Sequence, residues 1–180
     1  MIMAQSLAAG RVQRRSRALP DGRAIWVSQV FPTSGTVSET PTASFVEQLP
    51  HTVIPSHFHA VNQFQVVVDG QGTLGKRAVH PWTVHYTNGF TGYGPLYAGA
   101  AGLTFFTFRN RWDVGGAHYF PAGQAFMQPA PRRHHLVGPL ALSSAAALHR
   151  RQHVTCDLVL APEEDGLAAW FLRLGPHMQT

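Results

Sequence analysis

Pro55-Ser-His57-Phe-His59-Ala-Val-Asn-Gln63, running on through Phe64-Gln-Val-Val-Val68 to Asp69-Gly70, decides how this chain is read. Residues i and i+2 of an extended strand point the same way, so His57 and His59 share a face. Gln63 follows four residues after His59, far enough for the chain to turn and return alongside. Two imidazoles and an amide oxygen then form a three-sided nest for a divalent ion within β-structure. The amide is the unusual member, because a carboxylate would neutralise part of the ion's charge. Two hydrogen-bonded loop imidazoles are the competing reading of His57-x-His59, and the strand pattern after Gln63 weighs against it.

Gln63 to Val68 alternates, with Gln63, Gln65 and Val67 on one face and Phe64, Val66 and Val68 on the other. Asp69-Gly-Gln-Gly72 is expected to turn into Thr73-Leu74. Ala24 to Phe31, Ser44 to Leu49, Thr83 to Thr87 and Leu103 to Phe108 read as further strands. Asn88-Gly89 is a strong turn dipeptide, and the loop Gly92-Tyr-Gly-Pro95 follows it. Beyond Arg111 the signal weakens until Leu140–Leu148, which admits a short helix or a buried strand. Val154–Leu160 and Ala168–Leu174 are expected strands, separated by Glu163-Glu-Asp-Gly166. With 17 glycines and 13 prolines, the chain favours short strands and many turns over long helices.

The 180 residues suffice for one domain with a small appendage. Residues 1–20 are expected as a flexible basic arm, and residues 21–180 as a β-barrel domain with a C-terminal β-rich extension. The formal charge of +5 does not point to nucleic acid, since four of the basic residues (Arg11, Arg14, Arg15, Arg17) sit in the arm. The others are scattered and no nucleic-acid-binding signature accompanies them. No apolar run reaches the roughly 18 residues of a membrane span. Arginines follow the mildly apolar start, the wrong order for a secretory signal. The lone Cys156, expected to be buried or half-buried, cannot form an internal disulfide, and the cytoplasm is the default location.

On these residues the chain resembles the cupin superfamily of small β-barrels. The family's first motif runs Gly-x5-His-x-His, three or four residues, Glu, x6, Gly. His57, His59, Gln63 and Gly70 fall at its last four positions, His51 replaces the opening glycine, and Gln63 replaces the glutamate. The second motif, Gly-x5-Pro-x-Gly-x2-His-x3-Asn, is eroded: Tyr86, Gly92, Gly94, Tyr97 and Ala101 stand at its marked positions, with only the inner glycine kept. The resemblance covers roughly residues 50 to 101. It implies an all-β, cupin-type jelly-roll barrel or sandwich, usually a homodimer, that supports a metal. The superfamily spans dioxygenases, isomerases, decarboxylases and binding modules, so fold alone leaves function open.

Two functions are expected from this pattern. In the first, the chain is a small metalloenzyme, dioxygenase- or isomerase-like, in which His57, His59 and Gln63 hold Fe, Mn, Ni or Zn. Tyr97 or His85 would then manage a proton. A site with a neutral amide keeps more positive charge than one with a carboxylate, which favours a small anionic or polar substrate. In the second, the chain is a non-catalytic cupin that binds a small ligand, with or without a metal. Trp82, Tyr86, Phe90, Tyr93 and Phe105 are candidate lining aromatics, with simple core as their competing role. His134-His135, beside Arg132-Arg133, is either an exposed polar cluster or an anion-binding rim. No nucleic acid or membrane partner is expected. A second copy is expected to pair with an open edge near Trp26.

Overall fold

A computed structural model describes residues 7–12, 14–31 and 39–176 of the chain. Two compact units divide it, Met1–Pro139 and Leu140–Thr180. No helix among the described residues is long and apolar enough to cross a membrane.

The first unit opens with the helix α1 (Leu7–Arg11), carries a 3-10 helix at Ala122–Phe126, and is otherwise built of strands. In chain order these are β1 (Arg15–Ala18), β2 (Ala24–Phe31), β3 (Thr42–Gln48), β4 (Val53–Ile54), β5 (His57–Phe58) and β6 (Gln63–Leu74). They continue with β7 (Arg77–Val79), β8 (Val84–Thr87), β9 (Leu96–Arg109), β10 (His118–Tyr119) and β11 (His134–Val137). The main sheet runs β1-β2-β3-β9-β6-β8-β11, with β4 on β9, β7 on β6, and β5 pairing β10 separately. Every pairing is antiparallel. The path ends at β1 and β11, and no pairing joins these two among the described residues. The fold is thus an all-β sandwich, without barrel closure among the described residues.

The alternation expected from Gln63 holds: Gln63, Gln65 and Val67 are buried while Phe64, Val66 and Val68 are half-buried. The turn expected at Asp69–Gly72 is not a turn. β6 passes through it as a bulged strand, with register shifts between Val67 and Asp69 and between Gly70 and Gly72 opposite β9. Gly70 adopts φ +73°, and a side chain there would strike the Gly102 carbonyl; such a bulge bends a strand without ending it. β9 is likewise longer than expected, starting at Leu96.

Within the stretch expected as an arm, Leu7–Arg11 is helical and Arg15–Ala18 is a strand antiparallel to β2. The open edge expected near Trp26 is therefore covered: β2 has β1 on one side and β3 on the other. Arg14 packs over the Trp26 ring at 4.4 Å, and Arg11 and Arg14 both pair with Glu47. The new edge, β1, carries Arg15 and Arg17, and charge of this kind discourages strand addition.

The second unit contains α2 (Ala145–His149), capped by the Ser144 side chain, and a hairpin of β12 (Thr155–Leu160) and β13 (Ala169–Arg173). The Ala-rich Leu140–Leu148 thus resolves into a short helix at its end. Arg173 bonds Asp157 across the hairpin. Cys156 is exposed, contrary to the expected burial, because the β12 residues from Thr155 to Leu158 all face solvent.

Candidate functional site

Register lays the site out in rows across the main sheet of the first unit. Phe105 stands between Val46 and Val67, Thr107 between Ser44 and Gln65, and Arg109 between Thr42 and Gln63. The next strand extends two of these rows, His85 beside Gln65 and Thr87 beside Gln63. Directly paired residues project on the same face. The inner face consequently grades from apolar at Phe105 to polar at Arg109. A cavity of about 280 Å³ lies over it, lined by Ile25, Val46 and Phe105 towards one end and by Thr42, Thr107 and Arg109 towards the other.

His57 and His59 border this cavity, as the sequence suggested. Both are buried, with ring centroids 5.2 Å apart. His57 Nδ1 donates to the Pro55 carbonyl at 2.7 Å, and His59 Nδ1 donates to Asp113 Oδ2 at 2.6 Å. Each ring is thereby held in one tautomer, with its lone pair on Nε2. Burial lowers the pKa of His57 to about 3, helped by the charges of His59 and Arg109. Burial also lowers that of His59, against the opposing pull of Asp113. Both imidazoles are neutral at pH 7. Asp113 stays below its ordinary value: burial raises it, but the His59 bond and nearby positive charge outweigh that.

Gln63, 1% exposed, is fully occupied. Its Nε2 donates to the Tyr93 hydroxyl at 2.5 Å, and its Oε1 accepts from Arg109 Nε at 3.1 Å. Arg109 Nη2 lies 3.4–3.5 Å from both ring nitrogens of His59, and with Nδ1 donating to Asp113 it is Nε2 that can accept from it. Burial pulls the guanidinium below its ordinary pKa without neutralising it. No carboxylate among the described residues lies within ion-pair distance of Arg109, and no Asp or Glu lines the cavity.

Tyr97 is not part of this site. On β9 the alternation buries Leu96 and Ala98 and turns Tyr97 outward, where its hydroxyl meets His51 Nδ1 at 2.9 Å. The tyrosine that reaches the histidines is Tyr93. It forms an antiparallel bridge to His57, and its ring lies 4.5 Å from that of His57. Burial raises its pKa well above the ordinary tyrosine value. His85 is buried on the far side of Tyr93, 4.9 Å ring to ring, and does not line the main cavity. Its Nδ1 bonds Gln65 Oε1 at 2.6 Å, its Nε2 is buried without a partner, and the residue borders a smaller cavity of about 20 Å³. Burial lowers its pKa to about 3. His134 packs edge-on against His85 at 4.8 Å, so this part of the His134-His135 pair adjoins the interior. Of the suggested aromatics, Tyr93 and Phe105 line the main cavity.

Two residues of the site were missed. Arg109 shares strand parity with Phe105 and Thr107, so its inward direction was readable. Asp113 gave no such signal: it lies 54 residues from His59 in a segment without pattern.

Whether a metal fits can be judged from these contacts. His57 and His59 present Nε2 atoms with locked tautomers, as ligating histidines do. The third donor fails. Gln63 Oε1 is held by a guanidinium, and a second cation beside it would be repelled. Asp113 is committed to His59. No three His, Cys, Asp or Glu side chains converge to hold an ion among the described residues. The residues present supply two ligands and do not complete a metal site.

No family model matches the chain, and no curated protein matches it. Solved structures do. A provisionally assigned dioxygenase from Nostoc punctiforme aligns at TM-score 0.57 and 16% identity, over 92% of this chain and 58% of that one. Oxalate decarboxylase from Bacillus subtilis aligns at TM-score 0.49 and 11% identity, over 67% of this chain and 33% of that one. The complex of Rhodobacter sphaeroides SigE with the anti-sigma ChrR gives TM-score 0.44 and 16% identity, over 57% and 55%. The chain thus spans from a third to somewhat over half of the length of these matches. At such identity the likeness concerns fold alone. What the likeness shows is a fold shared with the Nostoc punctiforme protein.

Proposed function

We propose that this protein binds a small organic anion, with Arg109 holding the anionic group in place of a metal. The observation that supports the reading is the state of Arg109. Its guanidinium sits inside the cavity, bonded to a neutral amide and against a neutral imidazole. The opposite charge that acts on it, Asp113, is bonded to His59 and makes no direct ion pair with the guanidinium, so a costly desolvated charge is only partly offset and an entering carboxylate would complete the compensation. Nε is used by Gln63 and Nη2 lies against His59, which leaves Nη1 and the second hydrogen of Nη2 for an anionic group. Thr42, Ser44, Thr107 and Gln65 offer further polar contacts, while Ile25, Val46 and Phe105 suit a hydrocarbon portion.

Calorimetric titration with small carboxylates and their neutral amides tests this. Carboxylates should bind at least 10-fold more tightly than the amides, and Arg109→Gln should remove the preference. Equal binding of both classes, or preference surviving in Arg109→Gln, would rule the reading out.

The metal-dependent enzyme, dioxygenase- or isomerase-like, is the second reading, favoured by the locked tautomers of His57 and His59. It requires that Fe, Mn, Ni or Zn bind at one equivalent, and that His57→Ala and His59→Ala each abolish binding. Failure of all four metals to bind removes it.

A further inference from the structure

Arg109 shares its cavity with a second guanidinium, that of Arg17. β1 pairs with β2 so that Arg17 stands opposite Ile25, itself a lining residue, and register directs both to the same face. Arg17 has no hydrogen-bond or ion-pair partner among the described residues, whereas Arg11 and Arg14 of the same segment both pair with Glu47. An edge-strand arginine also discourages strand addition, but Arg15 fills that role equally. What distinguishes Arg17 is its place at the cavity. Its charge reaches inward, opposing the charge of Arg109 and favouring ionised Tyr119. The lining thus has two guanidinium groups and no acidic side chain.

We infer that the ligand is a dianion, with one anionic group on Arg109 and the other on Arg17, and that Arg17 is the residue selecting dianions over monoanions. The inference rests on the anion-binding reading above. Two like charges facing one cavity repel each other, and a ligand with one negative charge relieves only half of that. A dicarboxylate answers both. Arg109 grips the inner group at the polar end of the sheet. Arg17, on the exposed edge strand, is solvated when free, so closing on the outer group costs it little desolvation.

The test compares linear dicarboxylates of four to six carbons with monocarboxylates of equal length, by calorimetry at pH 7.5 and low salt. Wild type, Arg17→Gln and Arg17→Lys are used, the substitutions falling at an exposed position of the edge strand. The best dicarboxylate should bind at least 10-fold more tightly than its monocarboxylate. Arg17→Gln should bring that ratio near one, and Arg17→Lys should retain part of it. A wild-type ratio near one, or a ratio unchanged in Arg17→Gln, overturns the dianion inference while anion binding at Arg109 stands. Absence of any Arg109-dependent carboxylate binding removes the underlying reading and this inference with it.

Discussion

Gln63 and Arg109 are direct partners across the β6–β9 ladder, and their side chains meet on its inner face, Arg109 Nε donating to Gln63 Oε1 at 3.1 Å. A glutamate at position 63 would turn this neutral acceptor into a counter-ion. Gln63→Glu is therefore expected to weaken carboxylate binding by about 10-fold or more, the scale of one charge-assisted hydrogen bond. Calorimetry with the best carboxylate decides it. Tighter binding in Gln63→Glu would show that Arg109 does not carry recognition.

Tyr93 of the glycine-rich loop and Tyr97 at the start of β9 separate cleanly. Tyr93 holds Gln63 in place and touches His57, whereas Tyr97 faces outward to His51. Tyr93→Phe leaves the Gln63 amide donor without its acceptor and should cost about 1–3 kcal/mol in stability, with weaker ligand binding. Tyr97→Phe should leave binding unchanged. Urea denaturation and calorimetry on both variants check this; a binding defect in Tyr97→Phe alone would restore Tyr97 to the site.

Acid should unfold this protein by a predictable route. His57 and His85 have folded-state pKa values near 3 against an ordinary 6.5, and that of His59 is lowered as well. The unfolded chain therefore binds more protons between these values, so stability is full above pH 6.5 and falls as pH drops towards 3. His57 and His85 each contribute a slope of about 1.4 kcal/mol per pH unit in that window, and His59 adds to it in the same direction. The lowered pKa of Asp113 adds a loss in the same direction below its ordinary 3.8. Urea midpoints measured from pH 7.5 to 4 should fall steadily, and His85→Gln should flatten the fall. Stability independent of pH across this range would contradict buried neutral imidazoles.

Gly72 probes the bent part of the sandwich. A Cβ built there would lie 1.9 Å from the Tyr97 carbonyl oxygen, a backbone atom that cannot swing aside. Gly72→Ala should destabilise by about 2 kcal/mol or more, in the range of overpacking. Gly22→Ala makes a control, since its Cβ meets nothing within 4 Å and only its φ of +81° is strained. Thermal melts of both variants compare the two costs.

Strand positions were legible because alternation and turn residues act locally: parity placed Gln63 and Gln65 inward, and His57 and His59 came to one cavity as spacing implied. The turn at Asp69–Gly72 misled, since glycine serves a bulge as readily as a turn, and only the partner strand decides which. Tyr97 was placed by motif position, but its direction depended on where β9 begins, and the strand starts at Leu96, seven residues before the clear pattern. The sequence by itself determined the all-β class, the strand faces and the two histidines. Only the tertiary structure decided what those histidines face. Arg17 and Arg109 come from separate segments, and the pairings of β9 with β6 and of β1 with β2 bring them to the cavity, while a loop contact sets Asp113 against His59. Local propensity cannot encode such meetings, because the energy that fixes them exists only once distant strands are paired and water has left the space between.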